Sequence, residues 1–300
     1  MTTTNFVDRS QTQLWLAAIK PPMYSVAIIP ISVGSAVAFA QTNSFNPGIF
    51  FTFLSSAILI IAWLNLSNDV FDADTGIDKN KAHSVVNLTG KKDFIFWLGN
   101  FFLALGILGI IAISWWQKDF TVISLVVLCC LLGYSYQGPP FRFGYQGLGE
   151  IICFICFGPL AISAAYYSQT QTFSLIALSA SVVIGISTSI ILFCSHFHQV
   201  TDDLAAGKRS PIVRLGTARG SQVLAWLTGS IFVITLLMVV FGTWHWWTLL
   251  IFASLPIAVY LVKHVQQNHD QPENVSNCKY IAVRLHFASG MLLALGFILS

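Results

Sequence analysis

The chain has 300 residues, 55% of them apolar and 9% charged, with a mean hydropathy of +0.73. A soluble domain carries roughly a quarter of its residues as charges, so this composition excludes the ordinary soluble classes and points to a membrane protein. The formal net charge of +3 is too small to suggest a nucleic-acid partner, and membrane lipid is the expected surroundings.

The N-terminal segment is short and polar, with neither a secretory h-region and cleavage site nor an Arg/Ser-rich transit pattern, so nothing at the front is expected to be removed. A membrane-spanning helix needs about 20 apolar residues. Runs of that kind fall near 20–40, 48–68, 94–115, 121–137, 148–168, 173–197, 222–243, 246–264 and 282–299. The first holds Pro21, Pro22 and Pro30, which predict a late start or a kink. Five of the six cysteines lie inside these runs; the Cys153-x2-Cys156 pair falls mid-span without a second pair at zinc spacing, which fits packing. No stretch reads as a linker. The expectation is one all-α domain over 1–300, a nine-helix transmembrane bundle with cytoplasmic cap loops.

Two acidic segments interrupt the apolar pattern, one after the second run and one after the sixth. Aligned on Asp72 and Asp203, they share an amide, an Asp four residues further on, a Gly four residues beyond that, and then a cation. The members are Asn68, Asp72, Gly76 and Lys79 in one and Gln199, Asp203, Gly207 and Lys208 in the other. Six of the twelve carboxylates lie here: Asp69, Asp72, Asp74, Asp78, Asp202 and Asp203. With the N-terminus in the cytoplasm, fourteen of the fifteen Lys and Arg residues fall on the cytoplasmic side, leaving Lys118 outside. The same parity puts both acidic segments on that side.

On a helix, Asn65, Asn68, Asp69 and Asp72 occupy positions i, i+3, i+4 and i+7, a single face. Carboxylates at a helix C-terminus oppose the macrodipole, and so much negative charge beside hydrocarbon calls for a cation. Magnesium takes oxygen ligands and commonly binds through one or two carboxylates plus substrate phosphates. Two facing clusters could therefore hold a diphosphate through metal, with Lys20, Arg142, Lys208 and Arg209 near the phosphate oxygens. The plainer alternative is a solvated acidic loop after each helix.

These motifs, the nine spans and their sidedness resemble the UbiA superfamily of intramembrane aromatic prenyltransferases. Asn65-x2-Asn68-Asp69-x2-Asp72-x3-Gly76-x-Asp78 and Asp203-x3-Gly207-Lys208-Arg209-x4-Arg214-Leu215-Gly216 are similar to its branch acting on 1,4-dihydroxy-2-naphthoate. Lys20-Pro21 and Gly147-Leu148-Gly149-Glu150 support this, and His196-Phe-His198-Gln199-x2-Asp202-Asp203 resembles the phytyl-transferring form of oxygenic phototrophs. The chain departs from the wider superfamily in having Gly76 where a third Asp would fall and Gln199 in the first position of the second motif.

The resemblance implies transfer of a phytyl group from phytyl diphosphate to 1,4-dihydroxy-2-naphthoate or its 2-carboxy-1,4-naphthoquinone form, with release of diphosphate and carbon dioxide. It implies Mg2+ held by Asp69, Asp72 and Asp203, with Asp78 and Asp202 as further carboxylates. Asn65, Asn68, Lys20, Lys79, Arg142, Lys208 and Arg209 are the expected substrate-binding residues. Tyr134, with Tyr136, is placed to face the allylic cation, and His198, with His196, to touch the acceptor or serve as a base. Glu150 is expected to hold the helix start opposite Arg142. A bacterial inner or thylakoid-type membrane is implied. Transfer of a longer polyprenyl chain is the enzymatic alternative. A cation or organic-anion transporter is disfavoured by span interiors that carry almost no charge.

Overall fold

The computed structural model describes residues 15, 20–75 and 84–300, and every regular element among them is helical. In chain order these are α1 (Pro21–Thr42), α2 (Pro47–Thr75), the short α3 (Val85–Thr89), α4 (Lys92–Gln117), α5 (Thr121–Gln137) and α6 (Gly149–Thr170). Then follow α7 (Leu175–Ser195), the short α8 (Val200–Ala205) and α9 (Pro211–Leu215), α10 (Thr217–Val240), α11 (Trp246–Asn268) and α12 (Pro272–Ile298).

The protein is a multi-pass membrane protein. Among the described residues, eight helices are long and apolar enough to cross a bilayer. The nine expected spans are thus eight of full length and one, α5, of 17 residues. α2 outruns the apolar stretch that predicted it: it continues for two turns past its hydrophobic run and carries Asp69 and Asp72 on regular helix.

Burial separates an inner set from an outer one. The apolar window is 67% buried in α1 and 61% in α12, against 22% in α4. α4 instead presents Trp97, Trp115 and Trp116 outward. Lipid is as apolar as leucine, so the inner helices are held by close packing rather than by a hydrophobic gradient. The crossing of α6 and α7 shows how: a Cβ on Gly158 would lie 2.6 Å from the Ser181 carbonyl oxygen, and one on Gly185 would lie 2.8 Å from the Phe154 ring. Next to this crossing, Cys156–Leu160 forms a π-helical turn around Pro159, which has no N–H to offer the ladder.

Local signals set the ends that matter. Ser174 caps α7, its hydroxyl accepting from the Ile176 and Ala177 amides. After Ser195 the helix stops in a tight turn, with Phe197 N–H donating to Cys194 at 3.4 Å and Gln199 N–H to His196 at 3.2 Å. A new helix, α8, then restarts in another phase.

Candidate active site

The first acidic cluster rides on the last turns of α2. The two Asp69 oxygens meet the Lys20 ammonium at 2.9 Å and the Val85 backbone N–H at 2.9 Å. Asp69 is buried, so this pairing offsets the cost of taking its charge out of water. Asp72 accepts from the Gln137 side-chain amide at 2.5 Å and from the Tyr145 hydroxyl at 3.5 Å. The Tyr145 hydroxyl also lies 2.6 Å from that of Thr75. Asp74 faces outward and pairs with exposed Lys92.

The second cluster is built around Asp203, fully buried on α8. Nδ1 of His196 lies 3.1 Å from Asp203 Oδ2, and the buried Lys208 ammonium lies 3.3 Å from Oδ1. Burial by itself pushes the Asp203 carboxyl up; the His196 hydrogen bond and the Lys208 charge outweigh it and hold the group below its ordinary value. Burial also holds His196 below the ordinary histidine value, against the pull of Asp203. The far nitrogen of that imidazole faces Glu150 at 3.4 Å. Gly207 supplies the left-handed turn, φ 71°, that brings Lys208 back toward α8.

One loop joins the clusters. Tyr145 touches Thr75 and Asp72 with its hydroxyl while its backbone carbonyl accepts from Arg209 N–H at 2.8 Å. Arg214 fastens the same junction, donating to the carbonyls of Gln146 at 2.7 Å and Arg209 at 3.1 Å. Beneath lies an almost wholly apolar cavity of about 270 Å³ between α1, α2, α5, α6, α7 and α12. Asn65 and Asn68 line it near the acidic end, and Phe53, four turns further along α2, lines it deeper in.

Several sequence expectations land elsewhere. Tyr134 is 37% exposed and donates to the Pro139 carbonyl at 2.9 Å; Tyr136 is the tyrosine that lines the cavity. Two residues apart on a helix is about 200° of rotation, so only one of the pair can face inward. His196, not His198, touches Asp203. Glu150 faces His196 and not Arg142, which sits in the turn after α5 with a left-handed φ of 45°. Asp202 is exposed on α8, about 100° around the helix from Asp203. Arg209 reaches the site region through its backbone, its side chain being exposed. Asp78 and Lys79 lie outside the described residues. Sequence reasoning missed Gln137 and Tyr145 altogether.

Residues 27–287 match the family model described as the UbiA prenyltransferase family. The chain belongs to this family. Over 285 residues it is 64% identical to the 2-carboxy-1,4-naphthoquinone phytyltransferase of Synechocystis sp., covering 95% of this chain and 93% of that one. The chloroplastic 2-carboxy-1,4-naphthoquinone phytyltransferase of Arabidopsis thaliana is 44% identical over 294 residues, covering 94% of this chain and 76% of the relative. The structure of a UbiA homolog from Archaeoglobus fulgidus bound to GPP and Mg2+ superposes with a TM-score of 0.63 at 16% identity, covering 93% of this chain and 99% of that one. The bundle is therefore the UbiA fold.

Proposed function

We propose that this protein transfers a phytyl group from phytyl diphosphate to 1,4-dihydroxy-2-naphthoate, releasing diphosphate and carbon dioxide, in phylloquinone synthesis. The observation that carries the reaction class is the juncture of two carboxylate clusters, each with one buried Asp, over one deep apolar cavity. The two phytyltransferase relatives, similar over nearly the whole chain, support the donor and the acceptor. In the quinol form the acceptor ring holds the electrons it needs; the 2-carboxy-1,4-naphthoquinone form requires two-electron reduction first. We read 1–300 as a single catalytic domain in a bacterial inner or thylakoid-type membrane, with the N-terminus and site on the cytoplasmic side.

The residues suit magnesium. Among the described residues no three His, Cys, Asp or Glu side chains gather closely enough to hold a metal unaided. Magnesium does not require that, since it binds through one or two carboxylates and completes its shell with phosphate and water. The donors here are carboxylate oxygens, and Oδ1 of Asp203 is buried and accepts no hydrogen bond. Asp69, Asp72 and Asp203 would be the ligands, with Asp78 a further one from its motif position. Bound with the diphosphate, the metal would supply positive charge to the leaving group.

The chain's own groups do the rest. Lys20 and Lys208 neutralise the carboxylates in the resting protein and stand where phosphate oxygens would meet them. The cavity takes the isoprenoid and excludes water from the allylic cation, with the Tyr136 ring on its wall. Asn65 and Asn68 orient the reacting end. Competition decides the donor: membranes containing the protein, magnesium and the naphthoate receive equal phytyl and octaprenyl diphosphates, and products are weighed by mass spectrometry. Phytylated product should dominate. Equal or better use of the octaprenyl donor would move the protein to menaquinone synthesis.

A further inference from the structure

The apolar cavity has a floor. Along α2 it extends from Asn68, beside the acidic end, to Phe53, and among the described residues none nearer the start of that helix lines it. Ile31 on α1, Val126 on α5 and Ala164 on α6 are the lining residues furthest from the acidic end on their own helices. All four are buried, and they share one packed apolar cluster with Ile49 and Val122, which lie deeper on α2 and α5. Just past this level α1 and α6 come into contact. A Cβ on Gly34 would lie 2.7 Å from the Ala165 Cβ and 2.8 Å from the Ile162 carbonyl oxygen, so the absence of a side chain at Gly34 lets the two helices close beneath the cavity. Asn68 and Phe53 stand on one uninterrupted helix, about 22 Å apart along its axis at a rise of about 1.5 Å per residue. The main chain of a phytyl group, fully extended, reaches about 20 Å at ordinary C–C bond lengths. An octaprenyl chain is about twice as long and exceeds even the roughly 30 Å hydrocarbon core of the bilayer.

We propose that Phe53 is the specificity-determining residue for donor length, the stop on which the tip of the isoprenoid chain rests; the assignment rests on the phytyl-transfer reading above. With the diphosphate at the acidic clusters, the reacting end of the chain lies at Asn68 and the far end reaches Phe53. A shorter chain leaves the floor uncovered and forfeits its contacts there. A longer one has to fold back, or it holds its diphosphate short of the clusters. Phe53 has the largest side chain of the four at the floor, and Ala57, one turn nearer the acidic end, is small and also lines the cavity. That pair sets the depth: bulk at the bottom, room just above it. One helical turn is about 5.4 Å, close to the extended length of one isoprene unit. Removing the Phe53 ring therefore deepens the cavity by about one unit, until Ile49 on the next turn blocks it. Placing a ring at Ala57 raises the floor by the same amount.

The test uses the full-length protein in lipid nanodiscs with magnesium, the naphthoate and a ladder of donors that differ only in length: farnesyl, geranylgeranyl and geranylfarnesyl diphosphates. Wild type should favour geranylgeranyl, which matches phytyl in length. Phe53→Ala should move the optimum up to geranylfarnesyl and Ala57→Phe should move it down to farnesyl. Each should change the ratio of kcat/KM between neighbouring donors by about tenfold or more, the scale of the apolar surface of one isoprene unit. Phe53→Leu, the milder change, should move the ratio part of the way up. KM for the naphthoate should stay unchanged throughout. A loss of fold lowers all three donors together and cannot move the optimum in opposite directions. A wild type that uses the three equally, or an optimum that none of the variants moves, overturns the floor and leaves the phytyl reading to the phytyl–octaprenyl competition. Wild-type use of octaprenyl diphosphate at the phytyl rate overturns the donor reading and the floor together.

Discussion

The carboxylates of α2 and the carboxylate of α8 are linked through the Tyr145 loop but are held in opposite ways. Those on α2 depend on distant chain: Asp69 meets groups 49 and 16 residues away, and Asp72 meets groups 65 and 73 residues away. Asp203 meets His196, seven residues back, and Lys208 just after its own helix. The first cluster thus exists only once the bundle has closed, because α1, α3, α5 and the Tyr145 loop must all arrive. The second is assembled by a local turn, helix and glycine. A site made from one half of each kind couples global packing to a locally preset partner, and Tyr145 is where the halves meet.

The comparison can be broken at its centre first. Asp72→Asn and Asp203→Asn should each lower turnover by about a hundredfold or more, the scale of several kcal/mol of leaving-group stabilisation. Both proteins should still insert and melt normally, since the amide keeps the shape of the side chain. Near-normal rates at limiting magnesium in either variant would remove the shared-metal reading.

A smaller effect is expected at the joint. Tyr145→Phe deletes the hydroxyl that touches Asp72 and Thr75 but leaves the backbone bond to Arg209. The loss should be about threefold to tenfold in kcat/KM, matching roughly 0.5–1.5 kcal/mol for a neutral hydrogen bond. A magnesium titration of this variant should show weaker dependence at the α2 side, and an unchanged titration would mean the halves act independently.

The smallest effect belongs to Asp202. The deficit at Gln199 makes Asp202 an attractive substitute carboxylate, yet it projects into solvent while Asp203 is buried. Asp202→Asn should therefore shift the magnesium requirement by no more than about twofold, as exposed charges are screened. A larger shift would show that α8 turns in the loaded enzyme.

Much of this was visible in the residues alone. The spans, the acidic ends of α2 and α8 and the pairing of cations with them follow from hydropathy and spacing, because each is a property of one stretch of chain. What stayed hidden were matters of phase and of closure. Choosing between Tyr134 and Tyr136 needs the rotational setting of α5 against its neighbours. Choosing between His196 and His198 needs the turn that ends α7. Gln137 at the end of α5, Tyr145 in the loop that follows and the Glu150–His196 contact depend on segments brought together across the bundle, for which no periodicity gives a signal.

The shortness of α5 has a consequence for the surrounding lipid. Its 17 residues rise only about 25 Å, some 5 Å less than a typical hydrocarbon core. One side of it, at Leu128 and Leu131, faces outward, while Val126, Cys129, Gly133 and Tyr136 line the cavity. A mismatch of that size is relieved by drawing the two leaflets together beside the helix. The bilayer is then thinnest where a single helix separates it from the substrate chamber, and acyl-chain length in the membrane becomes a mechanical variable of the enzyme.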